Sequence, residues 1–208
     1  MPTTALPRLY LLTDRHNTSQ RPLTSVISQA VEAGVRLIQI REKDLDTPQT
    51  IELIHTLKPL ITQYDGKVLL NDRVDLAIAL DAEGVHLRTD SLPLPLVRRM
   101  IGNDKLIGVS THSVKDVQKA EDEGADFVVL GPIYDTPSKR IYGSPLGLDT
   151  LEAACRACRL PIFAIGGMEP KHVHDVISSG AYGIAVISSI LQATDIPSRT
   201  QQLLSQLP

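Results

Sequence analysis

Aromatic residues are scarce in this chain of 208 residues, which has five tyrosines, two phenylalanines and no tryptophan. The core must therefore be built from Leu, Ile, Val and Ala, which suits parallel strands that are buried on both faces. Apolar residues make up 42% and charged residues 22%, as in an ordinary globular protein. We predict one domain with a large core over residues 1–208.

Other features that the chain lacks limit its function. The formal net charge is −3, so there is no basic excess for binding nucleic acid. No apolar run approaches the length of a membrane span, and the N-terminal MPTTALPRLYLLTDR lacks the basic and apolar segments of a secretory signal. We therefore predict a cytoplasmic protein that binds neither nucleic acid nor membrane.

Cysteine is nearly absent, because Cys155 and Cys158 are the only two. Their C-x-x-C spacing is compatible with redox chemistry or with half of a metal site. However, the surrounding LEAACRACRL has helical periodicity, and the chain has no second cysteine pair. We expect these thiols to pack on a helix without a redox role.

The chain repeatedly alternates short apolar runs with amphipathic helical stretches. Eight runs predict strands, at Leu9–Leu12, Leu37–Arg41, Val68–Asn71, Gly84–Leu87, Leu106–Val109, Phe127–Leu130, Ile162–Ile165 and Gly183–Val186. Eight strands that alternate with eight helices predict an α/β fold, a single (β/α)8 TIM barrel. Active sites of such barrels lie where the strands join the following loops.

The last two predicted strands each end in a group suited to phosphate. One stops at Gly166 and Gly167, and the other stops at Ser188 and Ser189. Glycine lets the backbone approach an oxyanion, and a helix that begins just after a strand directs free N–H groups towards it. These residues predict a phosphate site, although ordinary strand-to-helix turns also favour Gly and Ser.

The second strand carries polar side chains on one face. Period-two alternation places Gln39 and Arg41 on the face opposite the two isoleucines, so both would point into the barrel. A bound anion would satisfy Arg41 and the nearby Lys43. The alternative is an internal salt bridge with Glu42 or Asp44.

The third strand ends in Asn71 and Asp72, a carboxylate close to those cations. A carboxylate beside two cations would repel a bare phosphate. It would, however, suit a Mg2+ ion that bridges the carboxylate and pyrophosphate oxygens. The sequence therefore predicts Mg2+ as the cofactor.

The sixth strand is followed by a long connection that contains Thr136, Ser138 and Lys139. Two hydroxyls and an amine suit anion contacts, and the length suits a mobile lid. The alternative is a solvated loop without a role in binding.

Histidines at 86, 112, 172 and 174 have no zinc-like pairing. His86 and His112 lie at the ends of strands four and five, where a histidine could transfer a proton. A structural or polar lining role is the favoured interpretation for all four.

Together these segments resemble a known family. The motifs are QIREKD at 39–44, NDRVDLAIA at 71–79, GVHL at 84–87, GVSTHS at 108–113, GADFVVLGPIYDTPSK at 124–139, and AIGGM with GIAVISSI near the end. From Leu9 to about Leu191 they resemble thiamine phosphate synthase. The resemblance implies a barrel that joins hydroxymethylpyrimidine pyrophosphate to hydroxyethylthiazole phosphate and releases pyrophosphate in the presence of Mg2+.

The resemblance also implies roles for individual residues. Residues implied to hold the pyrimidine diphosphate are Gln39, Arg41 and Lys43, with Asn71 and Asp72 beside the metal. Ser110 and Lys139 are implied to contact the pyrimidine and its leaving group. Those implied for the thiazole phosphate are Thr136, Ser138, Gly167 and Ser189. In this scheme the bond from the pyrimidine CH2 group to oxygen ionises first, and the thiazole nitrogen then captures the cation.

One segment departs from the family's pattern. After GVHL the family has Gly-Gln and two acidic residues, the second a metal ligand, whereas this chain has Arg88-Thr89-Asp90-Ser91. The metal position is therefore Ser91, unless Asp90 substitutes for it or Arg88 contacts pyrophosphate directly.

Two alternative functions stay open at this point. The related thiazole tautomerase, which isomerises a carboxythiazole phosphate, shares the loss of that acid, but it has a histidine where this chain has Pro132. The second alternative is a non-catalytic sensor that binds a thiamine-related phosphate. The expected partners are small phosphorylated pyrimidine and thiazole substrates, with a homodimer as an open possibility.

Overall fold

Eight parallel strands form a closed barrel in which each strand pairs with the next and β8 pairs with β1. The protein is described here by a computed structural model that covers residues 6–136 and 144–208. The strands are β1 (Leu9–Leu12), β2 (Leu37–Ile40), β3 (Lys67–Asn71), β4 (Gly84–Leu87), β5 (Leu106–Thr111), β6 (Phe127–Leu130), β7 (Ile162–Ile165) and β8 (Gly183–Val186). This arrangement confirms the predicted (β/α)8 barrel.

Helices connect successive strands on the outside of the barrel. They are α1 (Leu23–Glu32), α2 (Thr47–Thr62), α3 (Val74–Ala79), α4 (Leu94–Ile101), α5 (Val114–Asp122), α6 (Gly147–Ala157), α7 (Pro170–Ser178), α8 (Ser188–Leu191) and α9 (Ile196–Leu204). Helix α2 begins with a capping box, in which Asp46 and Gln49 satisfy each other's backbone N–H groups. A short 3-10 helix, Arg15–Asn17, follows β1. Neither this turn nor the four-residue α8 was predicted, because both are too short to show helical periodicity.

Two apolar layers hold the fold together. The larger lies between the strands and the helices and includes Ile38 and Ile40, as the alternation in the second strand predicts. The smaller fills the barrel interior and includes Tyr10, Phe127 and Phe163. Tyr10 packs edge-on against Phe127 with their ring centroids 5.6 Å apart, so the few aromatic residues are concentrated where the barrel is filled.

None of the helices in the part of the chain that the structure describes has both the length and the apolar character needed to cross a membrane.

Candidate active site

Three adjoining cavities surround the mouth of the barrel at the carboxyl ends of the strands. One of about 280 Å³ is lined by residues from β1, β2, β7 and β8, and a second of about 250 Å³ lies over β2, β3 and β4. A third of about 430 Å³ lies over β4 and β5. Lys43 lines the first two cavities and Arg88 lines the last two, so cationic side chains stand at both boundaries.

The first cavity, which we call the β7–β8 cavity, brings together most of the residues predicted to bind phosphate. Its lining includes Thr136, Gly166, Gly167, Ser188 and Ser189. The Ser189 hydroxyl is buried and has no hydrogen-bond partner within the described residues. A buried hydroxyl without a partner is costly, so an acceptor or donor from a ligand would stabilise it.

The glycines of this cavity are required by its backbone. Gly166 and Gly167 have φ values of +96° and +64°, and a Cβ on Gly167 would lie 2.8 Å from the Asp135 carbonyl oxygen. The Gly167 carbonyl accepts a hydrogen bond of 2.8 Å from His172 Nδ1, and the His172 ring stacks on Tyr134 at 4.0 Å. The Gly166–Gly167 loop is therefore packed against Asp135 and against His172, which stacks on Tyr134. Such packing keeps the glycine backbone in a fixed conformation, as a pre-formed anion site requires.

Arg41 reaches the same cavity from β2. Its backbone N–H donates to Thr13 Oγ1 at 2.9 Å, and its side chain is only partly exposed. Burial lowers the pKa of the Arg41 guanidinium, the charges of Asp14 and Glu42 partly offset this, and the charge of Arg88 lowers it further. Within residues 6–136 and 144–208 the guanidinium makes no hydrogen bond or ion pair.

The salt bridge proposed as the alternative for Arg41 does not form. Arg15 instead donates to Asp44 at 2.6 Å and lies 3.4 Å from Glu42. The Asp44 carboxylate also contacts His16, and these contacts hold its pKa below the usual value, at about 2. Arg15 thus pairs with both acids, and Glu42 and Asp14 act on the Arg41 guanidinium only at longer range.

Asp72 lies at the end of β3 in an unusual backbone conformation. Its φ is +60°, in the left-handed region that aspartate tolerates better than most residues. Its carboxylate accepts a hydrogen bond from the Ser91 hydroxyl and lies 3.6 Å from Arg88 Nε. Ser91 also accepts a 2.7 Å hydrogen bond from the Arg88 backbone N–H, so the loop after β4 folds directly over Asp72.

The Asp72 carboxylate could coordinate a cation whose other ligands are substrate oxygens and water molecules. Asp90 pairs with Arg88 at 2.9 Å, whereas the Ser91 hydroxyl contacts Asp72. Of the two positions considered for the second metal ligand, Ser91 is therefore the one beside Asp72. No group of three or more His, Cys, Asp or Glu residues able to hold a metal occurs in the described part of the chain. Mg2+ commonly uses one or two carboxylates together with phosphates, and Asp72 supplies one.

Gln39 and Ser110 lie at the two ends of a hydrogen-bonded chain inside the barrel. Gln39 Nε2 donates to the Tyr10 hydroxyl at 3.0 Å, and Tyr10 lies 3.3 Å from His86 Nδ1. His86 Nε2 lies 2.9 Å from Ser110 Oγ. No pattern in the sequence indicates this role for Tyr10. His86 is predicted at a strand end, whereas the structure places it in the barrel interior, where it is 2% exposed.

Some predicted residues stand apart from this site or cannot be placed. Ser138 and Lys139 lie outside the described residues, so their roles stay predictions. Cys155 and Cys158 are free thiols at the end of α6, packed on the core, and burial raises the pKa of Cys155 to about 11. A thiol with a raised pKa is a poor nucleophile, in agreement with the expected packing role.

A larger cavity, of about 1000 Å³, opens at the other end of the barrel. Its acids have structural partners: Glu83 accepts from the Val68 N–H and Asp126 from the Ile107 N–H, each at 2.7 Å. These carboxylates complete the hydrogen bonding where strands begin. Size alone therefore does not locate the site in this fold, since barrel chemistry occurs at the opposite end.

Comparisons with known proteins agree with this geometry. The model of the family described as "Thiamine monophosphate synthase" matches residues 9–190. A putative thiamine-phosphate synthase of Geobacter sulfurreducens is 41% identical over 96% of this chain and 94% of its own. The thiamine-phosphate synthase of Chloroflexus aurantiacus is also 41% identical, over 94% of this chain and 90% of its own.

Solved structures give the same result. Thiamine phosphate pyrophosphorylase from Pyrococcus furiosus superposes with a TM-score of 0.87 at 32% identity, covering 96% of this chain and 94% of that one. A 3-hexulose-6-phosphate synthase, at 17% identity and a TM-score of 0.69, shares the fold alone. On the strength of the matched sequence, the chain belongs to the thiamine monophosphate synthase family.

Proposed function

We propose that this protein is a thiamine-phosphate synthase, which joins hydroxymethylpyrimidine pyrophosphate to hydroxyethylthiazole phosphate and releases pyrophosphate. The observation that carries the proposal is the pair of anion-suited regions in one barrel mouth. The β7–β8 cavity offers glycine backbone, the cations Arg41 and Lys43, and the Ser189 hydroxyl, which has no hydrogen-bond partner among the described residues. The adjoining cavity over β2, β3 and β4 is lined by Lys43 and Arg88. Two separate regions suit two phosphorylated substrates.

The β7–β8 cavity would hold the monophosphate of the thiazole. Its lining includes the backbone of Gly166 and Gly167 and the hydroxyl groups of Ser188 and Thr136. A phosphate held here would place the attached thiazole ring over the centre of the mouth. Binding both substrates in one site raises their effective concentration, which is a large part of the catalysis expected of such an enzyme.

Arg41 and Lys43 would stabilise the departing pyrophosphate. Ionisation of the bond from the pyrimidine CH2 group to oxygen leaves negative charge on the pyrophosphate, and the thiazole nitrogen then forms the new bond to carbon. Cationic donors already in place where charge develops lower the barrier without reorganisation. Gln39 and Ser110 would hold the pyrimidine ring, and Ser138 and Lys139 would complete the site.

Mg2+ would neutralise charge on the pyrophosphate oxygens. In this chain the residue in a position to hold it is Asp72, with Asn71 adjacent in the same cavity. Ser91 and Arg88 both contact the Asp72 carboxylate, so the ion would share it with them.

The proposed function is tested with purified protein, both phosphorylated substrates and Mg2+, with thiamine phosphate measured by chromatography. Thiamine phosphate formed in proportion to enzyme is the expected result. Conversion of the carboxythiazole phosphate tautomer without thiamine phosphate would assign an isomerase instead. Binding of thiamine phosphate without either conversion would assign a sensor. Neither alternative is favoured by the comparisons, since the matched relatives are named for the synthase.

Substitution of Ser91 with aspartate is expected to strengthen Mg2+ binding. A second carboxylate beside Asp72 would add a ligand and a negative charge, which is how proteins tune affinity for such ions. We expect the Mg2+ concentration for half-maximal activity to fall on the order of tenfold. Binding of Mg2+ in the presence of inorganic pyrophosphate, followed by calorimetry, should tighten in parallel.

Thr89→Asp is the matched control, because it adds the same charge to the same loop at an exposed position. It should leave the Mg2+ requirement within twofold of the unchanged protein. Equal Mg2+ requirements for Ser91→Asp and the unchanged protein would show that residue 91 does not lie at the metal.

A cytoplasmic location and a homodimer are separate predictions. Both are consistent with the proposed function, and size-exclusion chromatography with light scattering would decide the second.

A further inference from the structure

Four side chains from β1, β2, β4 and β5 form a continuous hydrogen-bonded chain through the barrel interior. The order is Gln39, Tyr10, His86 and Ser110, with contacts of 3.0, 3.3 and 2.9 Å. Gln39 and Tyr10 are fully buried and His86 is 2% exposed. Of these four side chains, Ser110 lines a cavity of the barrel mouth, the one over β4 and β5, and the other three line none of the three mouth cavities. We call this set the interior polar chain.

The barrel has a space shaped for the imidazole. A Cβ on Gly108 would lie 2.7 Å from His86 Nδ1 and 2.3 Å from Phe127 Cζ, so only glycine leaves room for both rings. Tyr10 and Phe127 pack on the imidazole with centroids 5.8 and 6.0 Å away. Burial in this aromatic surrounding, helped by the charge of Arg41, lowers the pKa of His86 to about 3. His86 is therefore a neutral imidazole, with one N–H donor and one acceptor nitrogen.

The hydrogen-bond chemistry gives the chain a direction. Gln39 Nε2 can only donate, so the Tyr10 oxygen accepts from it. The Tyr10 hydrogen is then available to His86 Nδ1, and leaving that hydrogen without an acceptor in the core would be destabilising. Nδ1 is therefore the acceptor nitrogen, and Nε2 carries the hydrogen that it donates to Ser110 Oγ.

Both ends of the chain are left with one unused function. Ser110 accepts from His86, so its own hydroxyl hydrogen is free to be donated towards the mouth. At the other end Gln39 Oε1 is buried without a hydrogen-bond partner within the described residues. Ser110 therefore offers the mouth a hydrogen-bond donor, which is complementary to an acceptor such as a pyrimidine ring nitrogen, whereas Gln39 Oε1 stays enclosed in the barrel.

We propose that Tyr10 and His86 are positioning residues that fix Ser110 as a hydrogen-bond donor towards the pyrimidine substrate. The inference rests on the proposed function for the identity of that substrate. The direction of the chain belongs to the free protein. If the amide of Gln39 were reversed, each hydrogen bond would reverse with it, and Ser110 would become an acceptor.

The direction can be measured without substrate by 15N NMR of the histidine ring in the free protein at pH 7. We expect His86 Nδ1 to lack a hydrogen and Nε2 to carry one. A His86 ring protonated on Nδ1, or on both nitrogens, would overturn the proposal. Because this measurement needs neither substrate nor turnover, its result on the direction of the chain does not depend on the proposed function.

Tyr10→Phe tests the effect on binding, because it removes the hydroxyl that joins Gln39 to His86 and keeps the ring. We expect affinity for the pyrimidine diphosphate to fall roughly tenfold, while affinity for inorganic pyrophosphate and KM for the thiazole phosphate stay within twofold. The His86 ring in this variant should show both tautomers.

Tyr182→Phe is the matched control. It also removes a tyrosine hydroxyl with a single acceptor, the Leu6 carbonyl, but it lies away from the mouth. It should change none of these quantities. Equal losses in the two variants, an unchanged pyrimidine affinity in Tyr10→Phe, or weakened pyrophosphate binding there would contradict a positioning role. If the unchanged protein does not bind the pyrimidine diphosphate, the proposed function has failed, and the tautomers of the two variants still decide the direction of the chain.

Discussion

Replacement of Arg41 with glutamine is expected to lower kcat for thiamine phosphate formation by roughly 10²–10³-fold. The backbone N–H of Arg41 donates to Thr13 Oγ1, and its guanidinium makes no hydrogen bond or salt bridge in the described part of the chain. Asp14 and Glu42 attract the guanidinium at longer range, and Glu42 is shared with Arg15. The charge is thus available where negative charge develops on the leaving pyrophosphate, and a neutral amide cannot replace it.

A conservative substitution separates charge from shape. Arg41→Lys keeps the charge but loses the planar fork of donors, so it should recover only part of the activity. Arg73→Gln is the matched control, since Arg73 lines the neighbouring cavity but already pairs with Asp75 at 2.6 Å. We expect the control to stay within threefold in kcat. Steady-state kinetics with equal kcat for Arg41→Gln and the unchanged protein would exclude Arg41 from stabilising the leaving group.

Gly167→Ala is expected to lower the free energy of unfolding by about 2–4 kcal/mol and to weaken binding at the β7–β8 cavity. The residue has φ of +64°, and its new methyl group would lie 2.8 Å from both the Asp135 carbonyl oxygen and Tyr134 Cβ. The loop must move to relieve these contacts, and it carries the backbone that is predicted to face the phosphate. Chemical denaturation measures the first effect, and KM for the thiazole phosphate measures the second.

Gly102→Ala provides a control for backbone strain alone. Gly102 has a similar φ of +76°, but a Cβ there would meet nothing within 4 Å. Its ψ of −169° lies in a region that essentially only glycine adopts, so we expect a loss of about 1–3 kcal/mol and an unchanged KM. If both variants lose the same stability and neither changes KM, close packing beneath Gly167 is not what shapes the cavity.

The sequence predicts features that repeat along the chain. Strand and helix alternation gives the barrel because each unit has its own periodic pattern, and period-two alternation correctly places Gln39 inside and Ile38 outside. The glycine and serine pairs after the last strands do line one cavity. These signals are local, so a single sequence is enough to interpret them.

Contacts between distant loops are not predicted in this way. The Ser91 contact with Asp72 depends on a left-handed residue and on the path of another loop. The pairing of Arg15 with Glu42 depends on a 3-10 turn too short to show periodicity. Tyr10 and His86 are 76 residues apart, and their four-residue strands are buried throughout, so no alternation in sequence reveals which side chains meet.

The interior polar chain has an evolutionary consequence. Each member takes its donor or acceptor role from the member before it, so a change at one position alters what the next can accept. Gly108 is tied to the same set, because it leaves the space that the imidazole fills. Substitutions at these five positions should therefore be tolerated in compatible combinations rather than singly, and related barrels that bind a different ring would differ at several of them together.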